Sequence, residues 1–300
     1  MNRTACTVAP SSKNDLPARL VPGDHIFIYY LNGRADARRA DLGPRFAGNW
    51  EEEDCSFLFF SAPAEEEMRR FLMERPTLSL VDRFDMPYQE WQPVEGFPLK
   101  AGGLSIFPPW ETPDETADHI PLILDPGLVF GSGFHATTHD CLEALSLICY
   151  YSNRKIETAI DIGTGTGLLA VAAAMRGVAR VIGVDNNQLA VETARHNVRL
   201  NNVDDRVLIM KGSALEPAYH PADLLMANIH CEVMEAIIET PVFSGCRWFI
   251  LSGLLRTPAR KIIARLNELS AEIIKVWNND EIWYTVLGKR GEGCNNPVKR

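Results

Sequence analysis

Hydrophobic and polar residues alternate in two different patterns along this chain, and the pattern changes near residue 86. In the first part, short β-prone runs and one amphipathic helical pattern follow a polar tail at residues 1–20. Strands are predicted at 25–30, 55–60 and 77–81, and a helix at 65–74. These elements predict a small α+β domain over residues 21–85. Residues 86–118 are rich in Pro, Gly and Trp, contain one strand-like run at 103–107, and are interpreted as a connecting segment.

From residue 121 the chain alternates between strand-like and helical runs. Strands are predicted at 121–125, 158–162, 180–185, 206–210, 222–227 and 247–252, and helices at 138–150, 167–176, 187–200, 231–239 and 256–269. Such alternation is typical of a doubly wound, mostly parallel sheet with helices on both faces. Two final runs, 273–277 and 282–287, flank the turn residues at 278–280 and predict an antiparallel hairpin that ends the sheet. The pattern therefore predicts an α/β domain over residues 119–290, followed by a loose tail at 291–300.

A glycine-rich run connects the second of these strands to its helix. The residues from Asp161 to Gly167 read D-I-G-T-G-T-G. Glycine lets the backbone turn sharply and approach a ligand closely, and a strand-to-helix junction aims main-chain N–H groups at that ligand. Twenty residues after Gly165, Asp185 ends the next predicted strand, where an acid can accept both ribose hydroxyls of a nucleoside. Loop and acid together predict a nucleoside-bearing cofactor; the alternative is a turn that binds no ligand.

The spacing of the glycines separates two classes of cofactor. A dinucleotide fingerprint reads G-x-G-x-x-G, and its third glycine would fall at Leu168 or Ala170, depending on which glycine is counted first. In this chain the third glycine comes one residue early, and Asp161 precedes the first glycine. The loop resembles the S-adenosylmethionine loop of Rossmann-like methyltransferases. A nicotinamide-dependent dehydrogenase is therefore disfavoured.

Composition and charge limit the class of protein further. Apolar residues make up 46% of the chain and charged residues 23%, which is ordinary for a soluble globular protein. The seven cysteines lack framework spacing and are interpreted as reduced thiols of a cytoplasmic protein; no secretory signal, membrane span or metal-ligand spacing is evident. Net charge is −9, of which residues 1–120 carry −8. This acidity disfavours direct binding to nucleic acid and favours a basic protein partner, or alternatively serves only solubility. The sequence carries no signal for a particular oligomeric state.

A second glycine-rich stretch, residues 124–138, precedes the first predicted helix of the α/β domain. It reads L-D-P-G-L-V-F-G-S-G-F-H-A-T-T. It resembles the D-P-G-x-x-F-G-x-G-x-H-x-T-T loop of the bacterial PrmA family, which trimethylates a ribosomal protein of the large-subunit stalk base at lysine ε-amines and the N-terminal α-amine. The resemblance covers roughly residues 86–290 and includes the motifs A-N-I at 227–229 and L-S-G-L at 251–254. The first 85 residues match that family only in general character.

The resemblance implies a Rossmann-like class I methyltransferase fold, S-adenosylmethionine as cofactor, a ribosomal protein substrate and an N-terminal domain that recruits it. It also implies that residues 127–138 form a flap over the cofactor. The cofactor-binding residues it implies are Phe130, Thr138, Asp161, Gly163, Gly165, Asp185, Ser213 and Asn228. From the residues alone, Thr137 or Thr138 alternatively caps the helix that follows, and Ser213 is alternatively a plain turn residue. His135 is either a base for the incoming amine or orders the loop through a hydrogen bond.

The end of the strand at 222–227 carries residues suited to amine methylation. Methyl transfer displaces a thioether that needs no protonation, so the protein must present a neutral amine lone pair at attacking distance. A lysine amine is protonated in water, and desolvation favours its neutral form. Asn228 Oδ1 and the Ile229 carbonyl are expected to accept its remaining N–H bonds as catalytic groups, with a helix N-cap at Asn228 as the alternative. The sequence favours a protein-lysine methyltransferase; the alternatives are methylation of another protein or a small amine, and a non-catalytic protein that keeps a cofactor pocket.

Overall fold

The computed structural model describes residues 20–290 apart from 53, 94, 114–117, 153 and 216–221. The tails predicted at 1–20 and 291–300 lie outside these residues, except for Leu20. The chain divides into two compact units, Met1–Asp85 and Met86–Arg300.

The first unit is built on a four-stranded sheet in the order β2-β3-β1-β4. Its elements are β1 (His25–Asn32), α1 (Arg39–Leu42), β2 (Phe46–Glu51), β3 (Cys55–Phe60), α2 (Glu65–Met73) and β4 (Ser79–Pro87). The strand β3 runs antiparallel to both β1 and β2. The sequence did not predict β2, because Gly48 and Asn49 interrupt its apolar pattern. The buried Tyr29 hydroxyl accepts a hydrogen bond from the Ala64 N–H at 2.8 Å, which ties the start of α2 to the sheet.

The second unit begins with a short helix and a small sheet. These are α3 (Tyr88–Trp91), β5 (Leu99–Ala101), β6 (Leu104–Phe107) and β7 (Ile120–Ile123). The strand predicted at 121–125 was expected in the main sheet, but β7 pairs in parallel with β6 in a separate three-stranded sheet. An apolar run specifies a strand and leaves its partner open. Here Asn201 binds the main chain of Ile123 through both its Oδ1, at 2.9 Å, and its Nδ2, at 2.6 Å.

The main sheet has seven strands in the order β10-β9-β8-β11-β12-β14-β13. They are β8 (Thr158–Ile162), β9 (Arg180–Asp185), β10 (Val207–Lys211), β11 (Leu224–Asn228), β12 (Trp248–Leu255), β13 (Ala271–Asn279) and β14 (Trp283–Arg290). The helices are α4 (Ala136–Tyr151), α5 (Leu168–Met175), α6 (Gln188–Leu200), α7 (Cys231–Ile237), α8 (Pro241–Gly245) and α9 (Arg256–Glu268). The first five strands are parallel, whereas β14 is antiparallel to both β12 and β13. The predicted α/β fold and its closing hairpin are confirmed.

Helices cover both faces of the main sheet, because alternate residues of the parallel strands point to opposite sides. Leu224 and Met226 of β11 join one apolar cluster with residues of α4, α5 and α6. Leu225 and Ala227 join the other cluster with residues of α7, α8 and α9. Burial on both sides explains why these strands read as continuous apolar runs in the sequence. It also leaves the ends of the strands as the accessible edges of the sheet.

Candidate active site

The polar residues predicted for the site gather where the main sheet changes direction. The chain proceeds from β8 outward to β9 and β10, and then returns to β11 on the other side of β8. In open parallel sheets, ligands bind at the carboxyl ends of the strands at such a switch point. Asp161 lies near the end of β8, Asp185 ends β9 and Asn228 ends β11. Three strands that are adjacent in space therefore bring these side chains to one edge.

The glycine positions of the loop between β8 and α5 have no room for side chains. Gly163 and Gly165 have positive φ angles of 71° and 55°, which glycine adopts without strain. A Cβ on Gly163 would lie 2.1 Å from Ile229 Cγ2, and a Cβ on Gly165 would lie 2.8 Å from the Phe130 carbonyl oxygen. The loop is thus enclosed between the segment after β11 and the segment at 125–135.

Beneath the loop, Asp161 is a buried acid held by a neighbouring hydroxyl. Its side chain is 1% exposed, and Oδ2 accepts a hydrogen bond from Thr164 Oγ1 at 2.6 Å. Burial raises the pKa of this carboxyl to about 7; hydrogen bonds from Thr164 and the Ala170 N–H oppose the rise, and the charge of Asp185 adds to it. Asp161 therefore shapes the loop from below, and the sequence analysis did not foresee the contribution of Thr164.

Asp185 holds the loop from the neighbouring strand. Its Oδ2 accepts a hydrogen bond from the Gly165 N–H at 2.9 Å, and its Oδ1 accepts one from the Asn187 N–H at 2.9 Å. Burial raises the pKa of this carboxyl, against the effect of the main-chain N–H donors of Asn187, Gly165 and Asn186. A carboxylate oxygen has two lone pairs, so each oxygen can accept a second hydrogen bond from a ligand.

The predicted flap, residues 127–138, and the two residues that precede it lie against the glycine loop. Thr166 Oγ1 donates to the Gly131 carbonyl at 2.7 Å. Asn197 of α6 accepts from the Asp125 N–H at 2.8 Å and donates to the Thr166 carbonyl at 2.8 Å, so one amide ties the flap to the loop. The side chain of Phe130 is 68% exposed at the tip of the flap. Sequence reasoning missed Asn197, although a polar residue on the apolar face of an amphipathic helix is a detectable signal.

On the other side of the loop, Asn228 and Ile229 face the start of α4. Asn228 Nδ2 lies 3.5 Å from Thr138 Oγ1, and the Ile229 N–H donates to the Ser252 carbonyl at 3.2 Å. Gly253 has φ +80°, and a Cβ there would lie 3.0 Å from Asn228 Oδ1 and 2.9 Å from the Ile229 carbonyl oxygen. A side chain at 253 would therefore press on both hydrogen-bond acceptors, and glycine lets the chain pass this close to them.

The helix N-caps proposed as alternatives for Asn228, Thr137 and Thr138 are occupied by other residues in the structure. The N-cap of α7 is His230, so Asn228 does not cap that helix. The N-cap of α4 is His135, whose ring accepts from the Thr137 N–H, so the expectation that Thr137 or Thr138 caps α4 was wrong. His135 Nδ1 also lies 2.7 Å from Thr137 Oγ1. The hydrogen bonds of His135 therefore order the start of α4. The cap is a ring nitrogen on a residue with extended backbone, in place of the expected threonine hydroxyl.

A buried polar network supports this side of the site. Ser252 Oγ lies 2.6 Å from Thr285 Oγ1, which donates to Asp140 Oδ2 at 3.0 Å. Asn279 Nδ2 donates to the same carboxylate oxygen at 2.6 Å. Burial raises the pKa of Asp140, and the two donors oppose that rise. The network joins α4, β12 and the β13–β14 hairpin directly below Gly253.

Comparison with known proteins indicates the family to which this chain belongs. A sequence profile described as ribosomal protein L11 methyltransferase (PrmA) matches residues 73–291, nearly three quarters of the chain. The chain belongs to the PrmA family. The family match begins near the end of the first unit and covers all the site residues described above.

Individual relatives of the PrmA family are moderately similar to this chain. A ribosomal protein L11 methyltransferase of Clostridium perfringens is 32% identical over 195 residues, 64% of this chain and 60% of the relative. One from Anoxybacillus flavithermus is 36% identical over 161 residues, 53% of this chain and 50% of the relative. The chain thus spans between half and three fifths of the length of these curated relatives. A crystal structure of ribosomal protein L11 methylase from Lactobacillus delbrueckii is 29% identical, with a TM-score of 0.54 over 63% of this chain and 95% of that one.

The remaining predicted residue, Ser213, lies in the loop after β10 and is exposed. Its Oγ accepts a hydrogen bond from the Leu215 N–H at 3.3 Å, as in a turn formed by serine. Among the residues that the structure places, no group of three or more His, Cys, Asp or Glu side chains could hold a metal ion. Within the described ranges, no helix has both the length and the apolar character that a membrane crossing requires.

Proposed function

We propose that this protein is an S-adenosylmethionine-dependent methyltransferase that acts on lysine ε-amines, and on the related N-terminal α-amine, of ribosomal protein L11. One observation carries the proposal. The glycine loop and Asp185 on the next strand are suited to a nucleoside. They lie at the same edge of the sheet as two oxygen acceptors, Asn228 Oδ1 and the Ile229 carbonyl, which are suited to an amine. Membership of the PrmA family supports the reaction, and the names of the relatives support the substrate.

The residues present fit such a cofactor. Gly163 and Gly165 expose main chain where a Cβ has no room, and Asp185 places a carboxylate against that main chain. Asp185 would accept the ribose hydroxyls, Thr138 and Asn228 would line the methionine end, and Phe130 of the flap would pack on the bound molecule. When bound, S-adenosylmethionine supplies an electrophilic methyl group on a sulfonium centre.

The protein's own task is to present a neutral nitrogen. Enclosure of the amine between the flap and the sheet edge disfavours the ammonium form, because burial penalises charge. Asn228 Oδ1 and the Ile229 carbonyl would accept two N–H bonds and direct the lone pair at the methyl carbon. Gly253 lets the chain pass close to both oxygens without a side chain that would displace them.

Cofactor binding is tested first by titration calorimetry with S-adenosylhomocysteine, the demethylated product. Asp185→Ala removes the acceptor of both ribose hydroxyls and should weaken binding at least about a hundredfold, since hydrogen bonds to a charged group contribute about 1.5–3 kcal/mol each. Asp204→Ala, which removes an exposed acid after α6, is the matched control and should bind like the wild type. Equal affinities for wild type and Asp185→Ala would reject this pocket.

The catalytic role is tested separately with Asn228→Ala. Loss of one acceptor should lower kcat by about tenfold or more while changing cofactor affinity by less than about threefold. The matched control is Asn267→Ala on the exposed face of α9, which should leave both quantities unchanged. A parallel loss of affinity and turnover in Asn228→Ala would mean that Asn228 acts only as a cofactor ligand.

The substrate is tested with methyl-labelled cofactor and purified ribosomal protein L11. Label should appear on L11, and mass spectrometry should place it on lysine side chains or the α-amine. A parallel incubation with a lysate of cells lacking the enzyme reports any other acceptor. Label on another protein or a small amine, with L11 unlabelled, would keep the site chemistry and reject the substrate.

A further inference from the structure

Three side chains at the start of the second unit bind the main chain of the flap. The Tyr88 hydroxyl donates to the Gly127 carbonyl at 2.8 Å, Trp91 Nε1 to the Leu128 carbonyl at 3.2 Å, and Gln92 Nε2 to the Val129 carbonyl at 2.6 Å. The three carbonyls are consecutive, and the three donors all come from α3 and the residue that follows it. The segment interpreted from the sequence as a connector is therefore a specific partner of the flap.

Two of these three donors are removed from water. Tyr88 is fully buried and Gln92 is 6% exposed. A tyrosine phenol is protonated at neutral pH, and burial raises the pKa of Tyr88 further. If the flap moved away, buried donors would lose their partners without gaining water, which costs more than the net value of each hydrogen bond. The contacts therefore favour the closed position of the flap.

The bound stretch leads directly to the part of the flap that covers the glycine loop. Phe130 follows Val129, and its carbonyl oxygen lies 2.8 Å from the point a Gly165 Cβ would occupy. The next carbonyl, that of Gly131, accepts the hydrogen bond from Thr166. The position of residues 127–129 thus sets the distance between flap and loop.

We propose that Tyr88, Trp91 and Gln92 are positioning residues that hold the flap over the glycine loop and thereby set the affinity for S-adenosylmethionine. This inference rests on the proposed function for its ligand. It adds a role for α3, which touches neither the glycine loop nor the amine acceptors through any of these hydrogen bonds.

The test uses the full-length chain with Tyr88→Phe, Trp91→Phe and Gln92→Met, singly and combined. Each change removes a donor and keeps apolar bulk. Calorimetry should show the affinity of the combined variant for S-adenosylhomocysteine reduced by about a hundredfold, since the losses of three hydrogen bonds, of about a factor of five each, multiply. The KM for the cofactor should rise similarly, with kcat at saturating cofactor within about twofold of the wild type.

Amide hydrogen exchange gives a readout that needs no ligand. Exchange at residues 127–131 should become faster in the variants, while the strands of the main sheet keep their protection. The control is Arg206→Met, which removes a side-chain hydrogen bond to the Ala174 carbonyl, 2.7 Å long, at the opposite ends of the strands. This variant should lose stability without changing cofactor affinity or flap exchange.

Each outcome decides a separate point. Wild-type affinity and unchanged flap exchange in the combined variant would overturn the positioning role. Absence of S-adenosylhomocysteine binding by the wild type would reject the proposed function, and flap exchange would still report whether the three side chains hold the flap. If the combined variant does not fold, Tyr88→Phe alone supports the same comparison, with an expected loss of affinity of about fivefold.

Discussion

The buried carboxyl of Asp161 makes a quantitative prediction about stability and pH. The ordinary pKa of an aspartate is 3.8, and burial raises that of Asp161 to about 7. The folded protein therefore retains a proton that the unfolded chain releases above about pH 4, so stability falls as the pH rises from about 4 to about 7. At 1.36 kcal/mol for each pH unit, ionisation of this one group costs about 4 kcal/mol above pH 7.

Asp161→Asn removes the titration and should flatten the pH dependence. The free energy of unfolding is measured by urea denaturation between about pH 5 and about pH 8. The wild type should lose up to about 1.4 kcal/mol more for each pH unit than the variant over the lower part of that range. Asp161→Asn also changes the free energy of unfolding itself, because an asparagine amide group cannot replace both acceptor oxygens of the carboxylate facing Thr164 and the Ala170 N–H. The slope of that free energy with pH is therefore the quantity to compare.

Other buried acids do not invalidate the comparison of the two pH slopes. Burial also raises the pKa of Asp140 and of Asp185, and both contribute to the pH dependence of either protein. Their contributions largely cancel when the two slopes are subtracted. Parallel curves for wild type and Asp161→Asn would refute the reasoning, since they would mean that Asp161 titrates alike in the folded and unfolded chains.

Further predictions concern neighbouring groups. Thr164→Val should lower the free energy of unfolding near pH 8 by about 1.5–3 kcal/mol, because an ionised carboxylate loses its hydroxyl donor, whereas Thr164→Ser should retain most of the stability in the same urea assay. An equal effect of both changes would point to packing instead. Gly253→Ala should reduce turnover by about tenfold or more while calorimetry finds cofactor affinity nearly unchanged, because its Cβ would lie 3.0 Å from Asn228 Oδ1 and 2.9 Å from the Ile229 carbonyl oxygen and would displace both acceptors. Full activity of this variant would mean that these two oxygens do not position the amine. Ser252→Ala should cost about 1–3 kcal/mol in thermal or urea unfolding, since Thr285 and Asp140 lose part of a buried network, and a neutral result would show that water replaces the hydroxyl.

The local features of the site were predictable from the chain. Asp161, Asp185 and Asn228 were placed at the ends of apolar runs, and parallel pairing necessarily brings such ends to one edge. The glycines were assigned to a close approach, and their positive φ angles agree with that assignment. Each of these inferences depends on the residues within one strand–loop–helix unit.

Partners distant in the chain were not predictable in the same way. Asn197 reaches Asp125 across 72 positions, and Thr138 meets Asn228 across 90. The connector at 86–118 showed Tyr88, Trp91 and Gln92 as aromatic and polar residues without indicating that they bind the flap. These side-chain donors bind carbonyl groups that are close only in the folded chain, and no periodicity of the sequence indicates which groups those are.

The order of strands and helices in the second unit, the glycine turn and the family resemblance could all be predicted from the amino-acid sequence, because apolar periodicity and backbone preference act over a few residues. The folded chain was needed to show that β7 pairs with β6 outside the main sheet, that α3 binds the flap, and that Gly253 lies against Asn228 and Ile229. These outcomes depend on which surfaces pack together across the whole unit. Packing depends on the shapes and hydrogen-bond partners of many side chains at once, so it can be described only for the folded chain.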